Sequence, residues 1–269
     1  MKKVIFYTIL AIFFSGCISP NIADYEKKEF MAINLKTNQK LEFGEFINEL
    51  NKYDIVLLGE HHDDFLHKFL TLKIANELAK FGDLSVALEM LESSKQSCIN
   101  KAKQNKAQIS QNEIKNALCW EKWKYKDYKY LIENLFYSQI EILGANLNKD
   151  EISTIMKGAQ PLKGDKSTTK NVKEAIKKVI SESHKTDDNE MLEVLSTAQQ
   201  YKDRRMADIL INSKNKVILL AGSYHIDKDM GIPLHIDDFN SYKKINKKAV
   251  VIFLGDKNYI NADYFIKEK

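Results

Sequence analysis

The sequence predicts an α/β protein: a mostly parallel sheet flanked by helices, with helical insertions. Three observations carry this. Five apolar runs, Tyr53–Leu58, Leu84–Leu88, Ile140–Leu143, Val217–Ala221 and Ala249–Leu254, have the length and continuity of strands buried on both faces. Helical stretches separate them, as in a sheet whose parallel strands need crossovers. Two of the strands end in one pattern: Leu58-Gly59-Glu60-His61-His62 and Ala221-Gly222-Ser223-Tyr224-His225 both read apolar, then Gly-x-x-His.

The elements follow in order. Lys2 and Lys3 precede an apolar run from Val4 to Phe14, shorter than the roughly 20 residues that span a bilayer. Ser15-Gly16-Cys17 closes it, which predicts a lipoprotein signal peptide over residues 1–16 with Cys17 as the lipidated N-terminus. Residues 17–28 then serve as a tether, and residues 29–269 form a single α/β domain. Tyr53–Leu58 is the first strand. Helical periodicity covers Phe65 to Phe81, with acids before it and Gly82 after it. Leu84–Leu88 ends at Glu89-Met90. A polar, lysine-rich helical region follows, and Ile140–Leu143 ends at Gly144-Ala145-Asn146. Residues 150–185 are helical and polar, with a break at Pro161 and Gly164, and Thr186–Asn212 reads as one long helix. The stretches 95–135 and 150–212 are too long for simple crossovers and read as helical insertions.

Composition narrows the function classes. The formal charge is +4, and removing residues 1–16 takes Lys2 and Lys3 with it and leaves +2, too little to argue for nucleic acid. Arg204 and Arg205 are the only arginines in a lysine-rich chain. Besides Cys17 there are Cys98 and Cys119, which are able to pair in an oxidising compartment; the sequence leaves that open. No CxxC occurs, so a zinc ribbon is excluded.

If the strands are parallel, Glu60, His62, Glu89, Asn146 and His225 all emerge at one carboxyl edge, where open parallel sheets bind ligands. The run Glu-His-His-Asp-Asp also admits a plain structural role, with Asp63 or Asp64 capping the next helix.

These residues resemble a known family. Leu58-Gly59-Glu60-His61-His62 with His67, Val86–Met90, Gly144-Ala145-Asn146, Gln199 with Asp203 and Met206-Ala207, and Gly222 with His225 and Gly231-Ile232-Pro233 are similar, in that order, to the ChaN haem-binding lipoproteins of the Tiki/TraB-related superfamily. The resemblance spans residues 50–236. It implies an α/β fold with a helical insertion, haem binding and a role in iron acquisition. It also implies an alternative, because relatives in the superfamily use the paired Gly-x-x-His for metal-dependent peptide hydrolysis.

Two function classes therefore compete. The leading one is a haem-binding lipoprotein of the cell envelope, anchored by lipid in the outer membrane, with ferric haem held by a tyrosine. The alternative is a hydrolase in which Glu60, His62, Glu89 and His225 act by acid-base chemistry, or Glu60, His62 and His225 hold a divalent metal. Tyrosinate oxygen suits ferric iron. On the 186–212 helix, Gln199, Asp203 and Met206 share one face. Tyr201 points the other way, with Val194, Ala198 and Arg205, and is the expected axial ligand. Tyr224 is the competing ligand and would place haem in the rim pocket beside His225. His184, Lys202 and Arg205 are the expected propionate partners. Trp120, Trp123, Tyr125, Tyr128 and Tyr130 read either as core or as a pocket wall. One tyrosine covers one face of haem, so haem binding is expected to promote a homodimer.

Overall fold

The structure, a computed structural model, describes residues 22–121, 123–255 and 261–269; Cys17 and the signal segment lie outside them. The chain runs α1 (Ile22–Glu26), β1 (Phe30–Asn34), β2 (Lys40–Glu42), α2 (Phe43–Leu50), β3 (Ile55–Glu60), α3 (Phe65–Leu78) and β4 (Leu84–Glu92). Then come α4 (Gln96–Gln104), α5 (Ile114–Ala117), α6 (Tyr125–Tyr137), β5 (Glu141–Asn146), α7 (Lys149–Met156), α8 (Lys170–His184) and α9 (Asn189–Asn212). The last elements are β6 (Lys216–Gly222), α10 (Ile232–Lys243), β7 (Ala249–Phe253) and β8 (Tyr264–Glu268).

Among the described residues there is one eight-stranded sheet, ordered β2-β1-β8-β7-β3-β6-β4-β5. Strands β3 to β8 run parallel, and only β1 and β2 add antiparallel pairings at one edge. Each of the five apolar runs is a strand of this sheet. The strands missed from sequence are β1, β2 and β8. They are short, and β1 pairs Phe30 with Glu268, a partner from the far end of the chain.

Alternation along the central strands assigns side chains to two faces. Val56, Leu58, Val86, Leu88, Ile218 and Leu220 pack with α2, α3, α4 and α6. Ile55, Leu57, Ala87, Val217, Leu219 and Ala221 pack with Met206, Ala207, Leu210 and Ile211 of α9 and with Ile232 and Ile236 of α10. The C-terminal half of α9 is thus a covering helix of the sheet. Its N-terminal half joins α7 and α8: Ala198 and Tyr201 pack with Leu147 and Ile155. Within the stretch read as a tether, α1 lies on α3, with Tyr25 and Phe65 ring centroids 4.9 Å apart. Cys98 and Cys119 form a disulfide, which ties α4 to the segment leading to Trp120.

The topology positions the site. Strand β6 returns to lie between β3 and β4, so three parallel strands that are distant in sequence end side by side.

Candidate functional site

Strand β3 delivers Glu60, and the chain turns through His61–Asp64 into α3. Asp64 does cap that helix, accepting the Leu66 N–H at 2.8 Å. The capping role and the polar rim therefore coexist in one run. Behind the turn, His67 Nδ1 accepts the His61 N–H at 2.8 Å. Burial pulls His67 down to about 4, so it is neutral and able to accept. Lys68 is 1% exposed. Its Nζ lies 2.9 Å from Glu60 Oε2 and donates to the carbonyls of His61 and His62 at 3.0 and 2.6 Å. A buried ammonium therefore sets the backbone of the turn and compensates the Glu60 carboxylate.

The other Glu60 oxygen, Oε1, is 2.9 Å from His62 Nδ1 and accepts the Tyr128 hydroxyl at 2.6 Å. Burial, with the Glu60 charge beside it, pushes Tyr128 well above the ordinary phenol value, so it remains a donor. The ring of Trp123 flanks His62, with centroids 4.5 Å apart. His62 is thus fixed at one ring nitrogen by a carboxylate, with the other nitrogen beside Gly222.

Strands β4 and β6 supply the second set. Glu89 Oε2 accepts the Gly222 N–H at 2.8 Å, and Oε1 lies 3.3 Å from His225 Nε2. His225 Nδ1 is hydrogen-bonded to Asp203 of α9, and the Gln199 amide lies 2.8 Å from the same nitrogen. Burial by itself would lower His225, but Glu89 and Asp203 outweigh it and hold the imidazole at about 10. Burial would raise Glu89, yet His225 holds it at about 2. Below about pH 10, this is an imidazolium clamped between carboxylates.

The two Gly-x-x-His motifs interlock. A Cβ on Gly59 would stand 2.7 Å from Ile226 Cγ1 and 3.2 Å from Ser223 Cα, in the loop after β6. A Cβ on Gly222 would stand 2.9 Å from His62 Nε2. Each glycine makes room for the turn that follows the other strand, which is why the pattern occurs twice.

Above this floor lies a cavity of about 440 Å³. Its polar side includes Glu60, His61, His62, Asp203 and His225, and its apolar wall is Ile176, Val179 and Ile180 of α8 with Met230. His62 and His225 therefore share one cavity. Asn146 stands back from it: its Nδ2 donates to the Glu89 carbonyl at 3.0 Å and braces β4. Among the described residues no group of three or more His, Cys, Asp or Glu side chains is spaced to hold a metal ion.

The haem-directed candidates separate. Tyr224 lines the cavity and is 44% exposed. Tyr201 is half-buried on the α7 side, and its hydroxyl donates to the Gln160 carbonyl at 2.6 Å. His184 lines the cavity from the end of α8. Arg205 is engaged elsewhere, by Ser93 Oγ and by Glu151 Oε1 at 2.7 Å. Lys202 sits beside Asp203 on α9. Lys68 and Tyr128 are the rim residues that the sequence did not single out as such. Lys68 had one visible signal, a position on the first turn of the helix that starts at the rim.

Residues 46–236 match the family model described as haem-binding uptake, Tiki superfamily, ChaN. A solved ChaN of Campylobacter jejuni, described by its cofacial haem binding, is 46% identical, with a TM-score of 0.84 over 90% of this chain and 98% of that one. The esterase EreC is 12% identical over 89% of this chain and 82% of that one, with a TM-score of 0.48, and the type III effector HopBA1 is 14% identical over 82% and 90%, with 0.45. Values so low bear on neither activity nor ligand. Comparison with curated protein sequences gives no match. With more than half of its length matched and a near-complete structural counterpart, this chain belongs to the ChaN haem-binding uptake family of the Tiki superfamily.

Proposed function

We propose that this chain is a lipid-anchored envelope protein that binds ferric haem through a tyrosine oxygen and serves iron acquisition. Family membership makes haem the ligand. The cavity suits it: about 440 Å³ falls within the roughly 300–1,000 Å³ of small-molecule sites, and its apolar wall faces polar groups.

Tyr224 and Tyr201 are the two candidate ligands. The observation that favours Tyr224 is that it lines the cavity and that its hydroxyl has no hydrogen-bond partner among the described residues. Tyr201 would first have to release Gln160. Of the expected propionate partners, His184 lines the same cavity. His225 is a poor iron ligand, because it holds its proton up to about pH 10. Titration of the purified protein with ferric haem tests this reading. Tyr224→Phe should abolish a high-spin tyrosinate spectrum, and Tyr201→Phe should leave it. The reverse result moves haem to the α7 side of α9, and no saturable binding removes the reading.

A second reading rests on the Glu60–His62 pair. An imidazole oriented by a carboxylate can act as a general base. Hydrolysis of a p-nitrophenyl ester that is lost in His62→Ala would raise this reading; no turnover above buffer would end it.

A further inference from the structure

Arg204 and Arg205 stand together in a chain that otherwise uses lysine, and both bond to other groups of the chain. Arg204 Nε donates to His235 Nδ1 at 2.8 Å. Its Nη2 donates to the Lys163 carbonyl and to Ser167 Oγ, each at 3.0 Å. Buried Asp238 lies 3.6 Å from the same nitrogen. Asp238 Oδ1 accepts the Lys166 N–H at 2.9 Å, and Oδ2 accepts the Ser167 N–H and hydroxyl at 3.1 and 2.6 Å. Gln200 donates to the Ser167 carbonyl at 3.1 Å. Every polar atom of fully buried Ser167 is thereby used. A Cβ on Gly164 would stand 2.2 Å from Asp238 Oδ2, so the loop is pressed against the knot.

Two residues beyond Ser167, Thr169 caps α8. Beyond that start, α8 is held by a small apolar cluster in which Val172 and Ile176 pack with Met230 and Leu234. Only Val172 and Ile176 of its fifteen residues are buried. Its pairs from Lys173 and Lys177 to Glu193 are surface contacts of small worth. Yet α8 provides Ile176, Val179, Ile180 and His184 to the cavity.

We propose that Arg204 and Asp238 are positioning residues of the cavity: through Ser167 they fix the start of α8, and with it the apolar wall against which the flat ligand seats. The ligand in this statement rests on the haem reading above. Arginine is needed because one planar fork reaches the His235 nitrogen, a carbonyl and a hydroxyl together; the single ammonium of lysine does not. The knot also holds across pH, since burial, with Arg204 beside it, keeps His235 down at about 3 and so able to accept.

Hydrogen exchange on the haem-free protein tests the positioning, and haem transfer to apomyoglobin tests its consequence. In Asp238→Asn and in the milder Ser167→Ala, amides 172–183 should exchange about tenfold faster, as expected for one or two lost hydrogen bonds, with β3 and β6 unchanged. Haem should leave several-fold faster, with its absorption spectrum unaltered. Arg204→Lys should resemble Asp238→Asn rather than the wild type. Unchanged α8 exchange, an increase spread evenly to the strands, or a loosened α8 with unchanged haem release would each overturn the proposal. Absence of haem binding by the wild type would overturn the haem reading instead, and the exchange result would still decide the positioning.

Discussion

Gly222 and His62 meet at the floor of the cavity, where a Cβ on the glycine would stand 2.9 Å from the imidazole Nε2. That contact makes the second Gly-x-x-His a condition for placing the first histidine. The obstacle is the end of a side chain, so Gly222→Ala should cost about 1 kcal/mol in urea unfolding, the low end for an overpacked site, and push His62 off Glu60. At Gly231 the obstacle is backbone, with the His225 carbonyl oxygen 2.2 Å from the added Cβ. Gly231→Ala should therefore cost about 1–3 kcal/mol. Equal costs for the two variants would contradict this account.

Protonation of His225 should be visible on unfolding. Burial opposes its charge, but Glu89 and Asp203 raise it from 6.5 to about 10. Its contribution to stability is complete below about pH 6.5 and is lost as pH rises through about 10. Glu89, depressed from 4.5 to about 2, contributes above about pH 4.5 and loses that contribution as pH falls through about 2. The pair is thus fully effective between about pH 4.5 and 6.5. At pH 8 the folded protein keeps a proton that the unfolded chain gives up. Calorimetry in buffers of different ionisation enthalpy should find about one more proton released by the wild type than by His225→Gln. Equal release would show that His225 is neutral in the fold.

The Cys98–Cys119 bond closes a loop with a sequence separation of 21. Replacing both cysteines with serine should lower stability by on the order of 3 kcal/mol. Because the bond adjoins Trp120, whose Nε1 donates to the Trp123 carbonyl at 2.7 Å, tryptophan emission should shift in the same variant. An unchanged urea midpoint would mean that the segment is held without the bond.

Cys17→Ser should release the protein from the membrane fraction into the soluble extract, because acylation at that residue is the proposed anchor. Retention at the wild-type level would refute lipidation there.

Haem should drive association. A single tyrosine covers one face of the macrocycle, and a second copy of the chain covers the other most simply by two-fold symmetry. Sedimentation should show a monomer without haem and a dimer with it, since a ligand that binds the paired state shifts the equilibrium toward that state. An unchanged monomer at saturating haem would rule this out.

What the sequence by itself determined was the set of central strands and their polar ends. Continuous apolar runs of strand length, bounded by polar and glycine-containing turns, fit a sheet covered on both faces, and Glu60, His62, Glu89 and His225 follow those runs directly. The tertiary structure decided the rest. Strand β6 inserts between β3 and β4, so His225 meets Glu89 and Asp203, from positions far apart in the chain. Lys68 and Tyr128 join Glu60 only because α3 and α6 cover the same face of the sheet. The edge strands β1 and β8 form by pairing opposite ends of the chain. The two faces of α9 were legible from its period. Where each face points was not, because helical periodicity fixes relative directions along one element, whereas packing against other elements fixes what those directions meet.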